Sequence, residues 1–249
     1  MKDEEIISEI EKCKNDIVYF AENYYTSANI DGIWKMPLFK AQKRVLRGMA
    51  KRQDIITLGA RQVGLTTLNG ICALWEALFT TDSYVGIISH KRACAENIMD
   101  RITMAYDKLP EWMRLGVYTC NTSKISFKNG SMITIMTAPA SACCGMTLST
   151  LIIDNAAFIP DRQMDELWNS IVPVMSSSRR SRLILTSTPN GATGKFAEMC
   201  TISQRSCNNW HFDVIKYNDI PGRGRTWKKN MIECIGVEAF KKEFQCEFI

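Results

Sequence analysis

The chain has 249 residues, of which 46% are hydrophobic and 23% are charged, and its formal net charge is +5. This length and composition are typical of one large folded domain and exclude a disordered or fibrous protein. The mild basic excess permits contact with nucleic acid but does not by itself indicate it. No apolar run reaches the roughly 18 residues that a membrane helix needs, and the polar, acidic start is unlike a signal peptide. We therefore expect a soluble cytoplasmic protein.

The ten cysteines do not form a metal-binding pattern. No C-x-x-C pair is present, only Cys143 and Cys144 are adjacent, and the two histidines, His90 and His211, lie far apart in the sequence. Zinc sites need closely spaced ligands, so none is expected. The interpretation that remains is a set of reduced thiols, several of them buried.

The first fifty residues predict two helices separated by a loop. Apolar residues at helical spacing indicate a helix from Glu4 to Tyr24 and another from Phe39 to Met49. The polar stretch from Thr26 to Lys35 between them is predicted to be a loop.

From Asp54 onward, short apolar runs alternate with helical segments. The predicted strands are Ile55–Leu58, Tyr84–Ser89, Leu151–Asp154 and Leu183–Thr186. The predicted helices are Thr66–Phe79, Arg92–Lys108 and a region around Asp165–Ile171. Strands that are apolar throughout and alternate with helices predict an α/β fold with a mainly parallel sheet flanked by helices.

Two further segments stand apart from this alternation. Asn129-Gly130 between Lys124–Phe127 and Met132–Thr137 is a two-residue hairpin signal. After the basic, glycine-rich stretch Pro221–Arg225, a helical segment from Trp227 to Phe244 predicts a small helical appendage.

The junction between the first apolar strand and its helix reads Gly59-Ala60-Arg61-Gln62-Val63-Gly64-Leu65-Thr66, here called the glycine loop. Gly59, Gly64 and Thr66 match the phosphate-binding pattern G-x-x-x-x-G-K-[ST], in which the threonine is placed to bind magnesium. Leu65 stands where the pattern has lysine, and Arg61 is the only basic residue within the loop. Taken alone, this fragment favours an ordinary glycine turn, but its surroundings reverse that preference.

The surroundings resemble a known family. Leu151–Asp154 is an apolar strand that ends in aspartate, and Asn155-Ala156-Ala157-Phe158-Ile159-Pro160 is similar to the segment that follows this aspartate in the large terminase subunits of tailed bacteriophages. The stretch from Val172 to Ser181 and Leu185-Thr186-Ser187-Thr188-Pro189-Asn190-Gly191 resemble that family's next motifs, in the same order. Leu38-Phe39-Lys40-Ala41-Gln42 is similar to its adenine-recognition segment. The resemblance covers about residues 35 to 249.

This resemblance implies a RecA-like P-loop ATPase core that binds ATP and Mg²⁺ and drives double-stranded DNA into a procapsid. The implied nucleotide-binding residues are Phe39, Gln42, Gly59, Arg61, Gly64, Leu65, Thr66 and Thr67. Thr66 and Asp154 are the implied metal ligands, Arg61, Asp154 and Asn155 occupy catalytic positions, and Thr186, Ser187 and Thr188 form the coupling motif. The implied partners are DNA, the portal protein, the small terminase subunit and further copies in a ring, in the host cytoplasm and transiently on the procapsid.

The resemblance also implies a division of the chain. We expect an N-terminal helix and lid-like segment over residues 1–38, the ATPase core over 39–215 and a small helical subdomain over 216–249. The nuclease domain that normally follows in the family is expected to be absent.

Three residues depart from the family pattern at positions that usually carry the chemistry. Leu65 replaces the loop lysine, Asn155 replaces the glutamate after the strand aspartate, and Cys144 stands where an arginine is usual. Arg61 is a candidate for the missing charge, and Asp161 or Glu166 for the missing base.

Three functions therefore stay open. One is an ATP-driven packaging motor, and another is a catalytically degenerate member that acts as a structural or regulatory subunit. A helicase with the same core fits the motif order less well. Arg179, Arg180, Arg182, Arg223 and Arg225 are candidates for DNA phosphate contacts, although a solvated basic surface explains most of them equally simply.

Overall fold

The computed structural model describes residues 2–29, 32–35, 37–51, 53–137, 147–176, 178 and 181–249. Within these ranges the strands are β1 (Thr26–Asn29), β2 (Gly32–Lys35), β3 (Ile55–Gly59), β4 (Tyr84–Ser89), β5 (Val117–Cys120), β6 (Lys124–Phe127), β7 (Met132–Thr137), β8 (Thr150–Asp154), β9 (Arg182–Ser187) and β10 (His211–Ile215). The helices are α1 (Asp3–Asn15), α2 (Ile17–Asn23), α3 (Lys40–Ala50), α4 (Leu65–Phe79), α5 (Arg92–Asp107), α6 (Asp161–Ser176), α7 (Lys195–Gln204), α8 (Arg225–Ile235) and α9 (Val237–Gln245).

Eight of the described strands form one sheet in the order β10-β3-β9-β8-β4-β7-β6-β5. The neighbours from β10 to β7 pair in parallel, while β6 and β5 are antiparallel additions at one edge. Strands β3, β8 and β9 are buried along their whole length, as expected for strands covered on both faces. The predicted α/β architecture with a mainly parallel sheet is confirmed.

The helices form layers on both faces of this sheet. Helices α3, α4 and α5 pack side by side, whereas α6 packs on α7, and α7 contacts β3 and β10. The chain reverses its direction of travel across the sheet after β8, and right-handed crossovers then place the later helices on the opposite face. All parallel strands therefore end at one edge, which collects the loops that follow β3, β8 and β9.

Several local predictions were wrong. The first helix is broken into α1 and α2 at Asp16, whose carboxylate accepts a hydrogen bond from the Val18 backbone N–H and caps α2. The stretch predicted to be a loop from Thr26 to Lys35 contains the antiparallel pair β1–β2. The C-terminal helix is divided into α8 and α9 at Gly236, whose φ of +84° favours glycine.

The hairpin β6–β7 is confirmed, but its turn is longer than two residues. The Gly130 N–H donates to Phe127 O and the Phe127 N–H donates to Ser131 O. Only Gly130, at φ +83°, adopts a left-handed conformation, so the turn differs from the type I′ form that the sequence signal suggests. The Asn129 side chain instead donates to Ala77 O, which ties the turn to the end of α4.

A buried ion pair holds the opposite edge of the sheet. Arg182 at the start of β9 contacts Glu76 of α4 at 2.5 Å, and both side chains are 4% exposed. Arg182 also donates to Thr150 Oγ1 and Lys51 O, and Glu76 accepts from Thr150 and Ser83. Burial alone would raise the pKa of Glu76, but Arg182 and the hydroxyl donors hold it below its ordinary value. Arg182 is thus part of the core, and its prediction as a DNA phosphate contact was wrong.

Removing one partner of this pair leaves a buried charge uncompensated. We expect Arg182→Met to lower the free energy of unfolding by about 3–5 kcal/mol. Urea denaturation of the variant measures this loss. The matched control is Glu166→Gln, which breaks the exposed pair between Arg162 and Glu166 and should cost at most about 0.5 kcal/mol. Equal losses in the two variants would contradict a central role for the Arg182–Glu76 pair.

Candidate functional site

The glycine loop folds back sharply between β3 and α4. Gln62 and Gly64 have φ values of +60° and +84°, so two left-handed residues turn the chain into the first turn of α4. The left-handed conformation at Gly64 favours glycine because it has no Cβ. The loop thereby places the amino-terminal end of α4 at the sheet edge where the parallel strands end, and such helix ends attract anions.

Leu65 does not extend toward the space above this helix end. Its side chain is 8% exposed and belongs to the hydrophobic core. It lies so close to Gly59 that a Cβ added there would be 2.6 Å from Leu65 Cδ1. The leucine at the lysine position of the pattern is therefore a packing residue, and Gly59 is required by its proximity.

Asp154, the last residue of β8, is the centre of the polar network at this edge. Its Oδ2 accepts hydrogen bonds from Thr66 Oγ1 at 3.1 Å and from Asn155 Nδ2 at 2.8 Å. Its Oδ1 accepts from Asn69 Nδ2 at 2.9 Å and from Thr186 Oγ1 at 3.0 Å. The carboxylate is thus surrounded by donors from α4, β9 and its own neighbour.

Burial is the stronger influence on this carboxylate. Asp154 is 2% exposed, and the loss of hydration raises its pKa above the ordinary value despite the hydrogen bonds that lower it. Asn155 occupies the next position with a left-handed φ of +55°, a conformation that asparagine adopts more readily than most residues. Its amide group donates to Asp154 and, unlike a carboxylate, has no basic oxygen to receive a proton from water.

The three residues of the predicted coupling motif differ in their contacts. Thr186 is fully buried and joins Asp154, and Ser187 Oγ accepts a hydrogen bond from the Ala157 N–H at 3.1 Å. Thr188 Oγ1 is buried with no hydrogen-bond partner among the described residues. The motif therefore connects β9 to the segment after β8 and leaves one hydroxyl unused.

Arg61 lies away from the first turn of α4. Its guanidinium forms an ion pair with Glu243 of α9 at 2.7 Å and lies 5.7 Å from the centre of the Phe158 ring. The Arg61 backbone N–H also donates to Glu243 O at 2.7 Å. The charge predicted to replace the missing lysine is balanced in this structure by a carboxylate of the protein itself.

Gln42 and Phe39 hold the other side of the glycine loop. Gln42 Nε2 donates to Val63 O at 3.0 Å, and its Oε1 accepts from the Phe39 N–H at 3.2 Å. Gln42 is 2% exposed, whereas Phe39 is only partly buried. The sequence-predicted pair is thus brought to the loop, with Gln42 fastening the loop to the start of α3.

Thr67 faces a different neighbour from Thr66. Its hydroxyl oxygen accepts a long hydrogen bond of 3.4 Å from Arg101 of α5, and the residue is 7% exposed. Cys144, together with Arg179 and Arg180, lies outside the described residues. The assignments of individual site residues to nucleotide, metal or catalysis stay predictions.

Asn69 and Glu243 belong to the site but were not predicted. Asn69 donates to both Asp154 and Thr186, and three residues separate it from Thr66, which places both on one face of α4. A polar residue inside this otherwise apolar helix is a signal that could have identified it. Glu243 lies 182 residues from Arg61 in sequence, and no local pattern connects them.

The comparison with protein families identifies the chain. A model described as terminase large subunit, T4likevirus-type, N-terminal, matches residues 56–249. The chain therefore belongs to the terminase large-subunit family, to its N-terminal domain.

Solved structures show the same fold at low sequence identity. The large terminase ATPase domain of Thermus phage P74-26 matches with a TM-score of 0.68 and 19% identity, over 86% of this chain and 94% of that one. The large terminase of bacteriophage HK97 matches with a TM-score of 0.74 and 14% identity, over 94% of this chain and 54% of that one. The large terminase of a thermophilic bacteriophage in complex with ADP gives 0.67 and 14%, over 85% and 54%. The RecA-like fold is confirmed, and the chain spans about half the length of the last two proteins.

Asn69 should matter most when Asp154 is charged. Asn69→Leu removes two donors from a buried network, and we expect it to lower the free energy of unfolding by about 1–3 kcal/mol at pH 7. The pKa of Asp154, already raised, should rise further, because its charged form loses a donor. The penalty then exists above that pKa and disappears as the pH falls and Asp154 becomes protonated.

Urea denaturation between pH 7 and pH 4 measures this dependence. The matched control is Asn97→Leu on the exposed face of α5, where no buried carboxylate is involved. A loss for Asn69→Leu that is the same at every pH would contradict the linkage to Asp154.

Proposed function

We propose that this domain binds a nucleoside triphosphate with Mg²⁺ at the glycine loop and serves as the ATPase domain of a viral DNA-packaging motor. The observation that carries the proposal is the contact between Thr66 and Asp154, whose oxygen atoms lie 3.1 Å apart at the carboxyl edge of the sheet. Family membership supports it, and a related large terminase has been solved in complex with ADP and with ATP-gamma-S.

The residues at this edge fit a magnesium nucleotide. Thr66 and Asp154 would hold the metal, because hydroxyl and carboxylate oxygens are the protein ligands that Mg²⁺ prefers. The backbone N–H groups of the glycine loop and the amino-terminal end of α4 would hold the phosphates. A bound Mg²⁺ neutralises negative charge on the phosphate oxygens. It would also favour the charged form of Asp154, which burial alone disfavours.

The coupling route in this proposal begins at Asp154 and leads to α9. Thr186 contacts Asp154, and Asn190 beyond it donates to Ala157 O and accepts from Lys242 of α9 at 3.2 Å. Because Glu243 of α9 also pairs with Arg61, this helix contacts both the glycine loop and the coupling segment. A change in either loop would therefore be transmitted to α9.

The proposed partners follow from the family. They are double-stranded DNA, the portal protein, the small terminase subunit and further copies of the chain in a ring, in the host cytoplasm and transiently on the procapsid. Among the described residues, no helix is long and apolar enough to cross a membrane.

A second candidate function is a terminase subunit that binds nucleotide but does not turn it over. Three observations favour it. Leu65 lies in the core, the Asn155 amide donates to Asp154, and the charge of Arg61 is balanced by Glu243. No free cation or base is thus supplied by the residues that the family pattern would assign to these roles.

One set of variants separates the two candidates. We expect the unmodified chain to bind Mg·ATP, and Asp154→Ala to weaken that binding at least about tenfold, since it removes a metal ligand. If the second candidate is right, turnover is negligible, and the double variant Leu65→Lys with Asn155→Glu should raise it by about 10²-fold or more by restoring a cation and a base. Calorimetric titration and a phosphate-release assay measure the two quantities.

Leu65→Met serves as the matched control because it keeps an apolar side chain of similar volume at the same position. Its binding and turnover should equal those of the unmodified chain. Robust turnover by the unmodified chain that Asp154→Ala abolishes would reject the second candidate and support the motor. Absence of Mg·ATP binding by the unmodified chain would reject both.

A further inference from the structure

A pocket of about 730 Å³ opens beside the glycine loop. One wall contains Phe39 and Lys40 at the start of α3, and the other contains Ile220, Pro221 and Arg223 in the segment before α8. The volume lies within the range of about 300–1,000 Å³ that is typical of sites for small molecules. The pocket is therefore large enough for the base and sugar of a nucleotide whose phosphates reach the loop.

Arg223 is held in position on its wall. Its Nη1 donates to Arg61 O at 3.2 Å and its Nη2 to Gln62 O at 3.5 Å, so the guanidinium contacts the backbone of the glycine loop. It also lies 4.9 Å from the centre of the Trp227 ring and 5.9 Å from that of Phe244. Carbonyl oxygens on one side and aromatic rings on another fix the orientation of the planar group.

The charge of Arg223 is not balanced by any acidic side chain within the described part of the chain. Burial lowers the pKa of Arg223, yet an arginine keeps its charge in proteins. Neighbouring cations are engaged differently, because Arg61 pairs with Glu243 and Lys43 pairs with Glu22 at 2.7 Å. Arg223 thus combines a fixed position with an uncompensated charge.

We propose that Arg223 forms the second face of a purine pocket and stacks on the base opposite Phe39. Guanidinium groups stack on aromatic rings, and the contact gains from the cation and from the planar shape. The proposal rests on the proposed nucleotide site and names the residue from the C-terminal segment that recognises the base. Because the same guanidinium contacts Arg61 O and Gln62 O, occupancy of the pocket by a base is linked directly to the backbone of the glycine loop.

The test compares two arginines that are two residues apart. Arg223→Ala removes the proposed stacking group, and Arg225→Ala removes the same charge from an exposed position at the start of α8. Mg·ADP, adenosine and inorganic tripolyphosphate are the probes, titrated by calorimetry or, for the weakly binding adenosine, by ligand-observed NMR. Arg223→Lys is added because it keeps the charge without the planar group.

We expect Arg223→Ala and Arg223→Lys to weaken Mg·ADP and adenosine about tenfold. Tripolyphosphate should bind these variants as it binds the unmodified chain, and Arg225→Ala should match that chain for every probe. Thermal unfolding of each variant verifies that it is folded, and the lysine variant carries the test if the alanine variant is not.

Three outcomes would overturn the proposal in different ways. If the unmodified chain binds none of the probes, the nucleotide site itself is wrong. If it binds Mg·ADP and the Arg223 variants behave like Arg225→Ala, the site stands and the role of Arg223 is wrong. If Arg223→Ala weakens tripolyphosphate but not adenosine, Arg223 contacts phosphate, and stacking on the base is excluded.

Discussion

The burial of one carboxylate constrains the whole carboxyl edge of this sheet. Asp154 is nearly inaccessible to water, so its charge requires donors, and they come from Thr66 and Asn69 of α4, Thr186 of β9 and the adjacent Asn155. These contacts set where α4 begins and how β8 and β9 end. The glycine loop and the coupling motif therefore meet at a common point, and α9 is attached to both through Glu243 and Lys242.

The central part of this arrangement could be predicted from sequence because its signals are local. Continuous apolar runs gave β3, β4, β8 and β9, and the glycine pattern placed the start of α4. Once these strands are taken as parallel, their carboxyl ends must share an edge, and Thr66 must approach Asp154. The motif order added the family, which the family model confirmed.

The remaining features depend on contacts between distant parts of the chain. Strand β10 mixes polar and apolar residues and becomes a strand because it pairs with β3, more than 150 residues earlier in the sequence. The ion pair between Arg61 and Glu243 and the contacts of Arg223 with the glycine loop span similar distances. Composition gave Arg182 the same rank as any surface arginine, whereas the fold buries it against Glu76.

The left-handed backbone at Asn155 has an evolutionary consequence. A residue with a longer, unbranched side chain in that conformation costs about 1–2 kcal/mol, a cost that asparagine largely avoids by local hydrogen bonding, here to Asp154. An ancestor with glutamate at this position would have gained stability by the exchange while losing a base. Since the return substitution sacrifices that stability, the change acts as a ratchet, and a lineage relieved of selection for turnover would tend to keep asparagine.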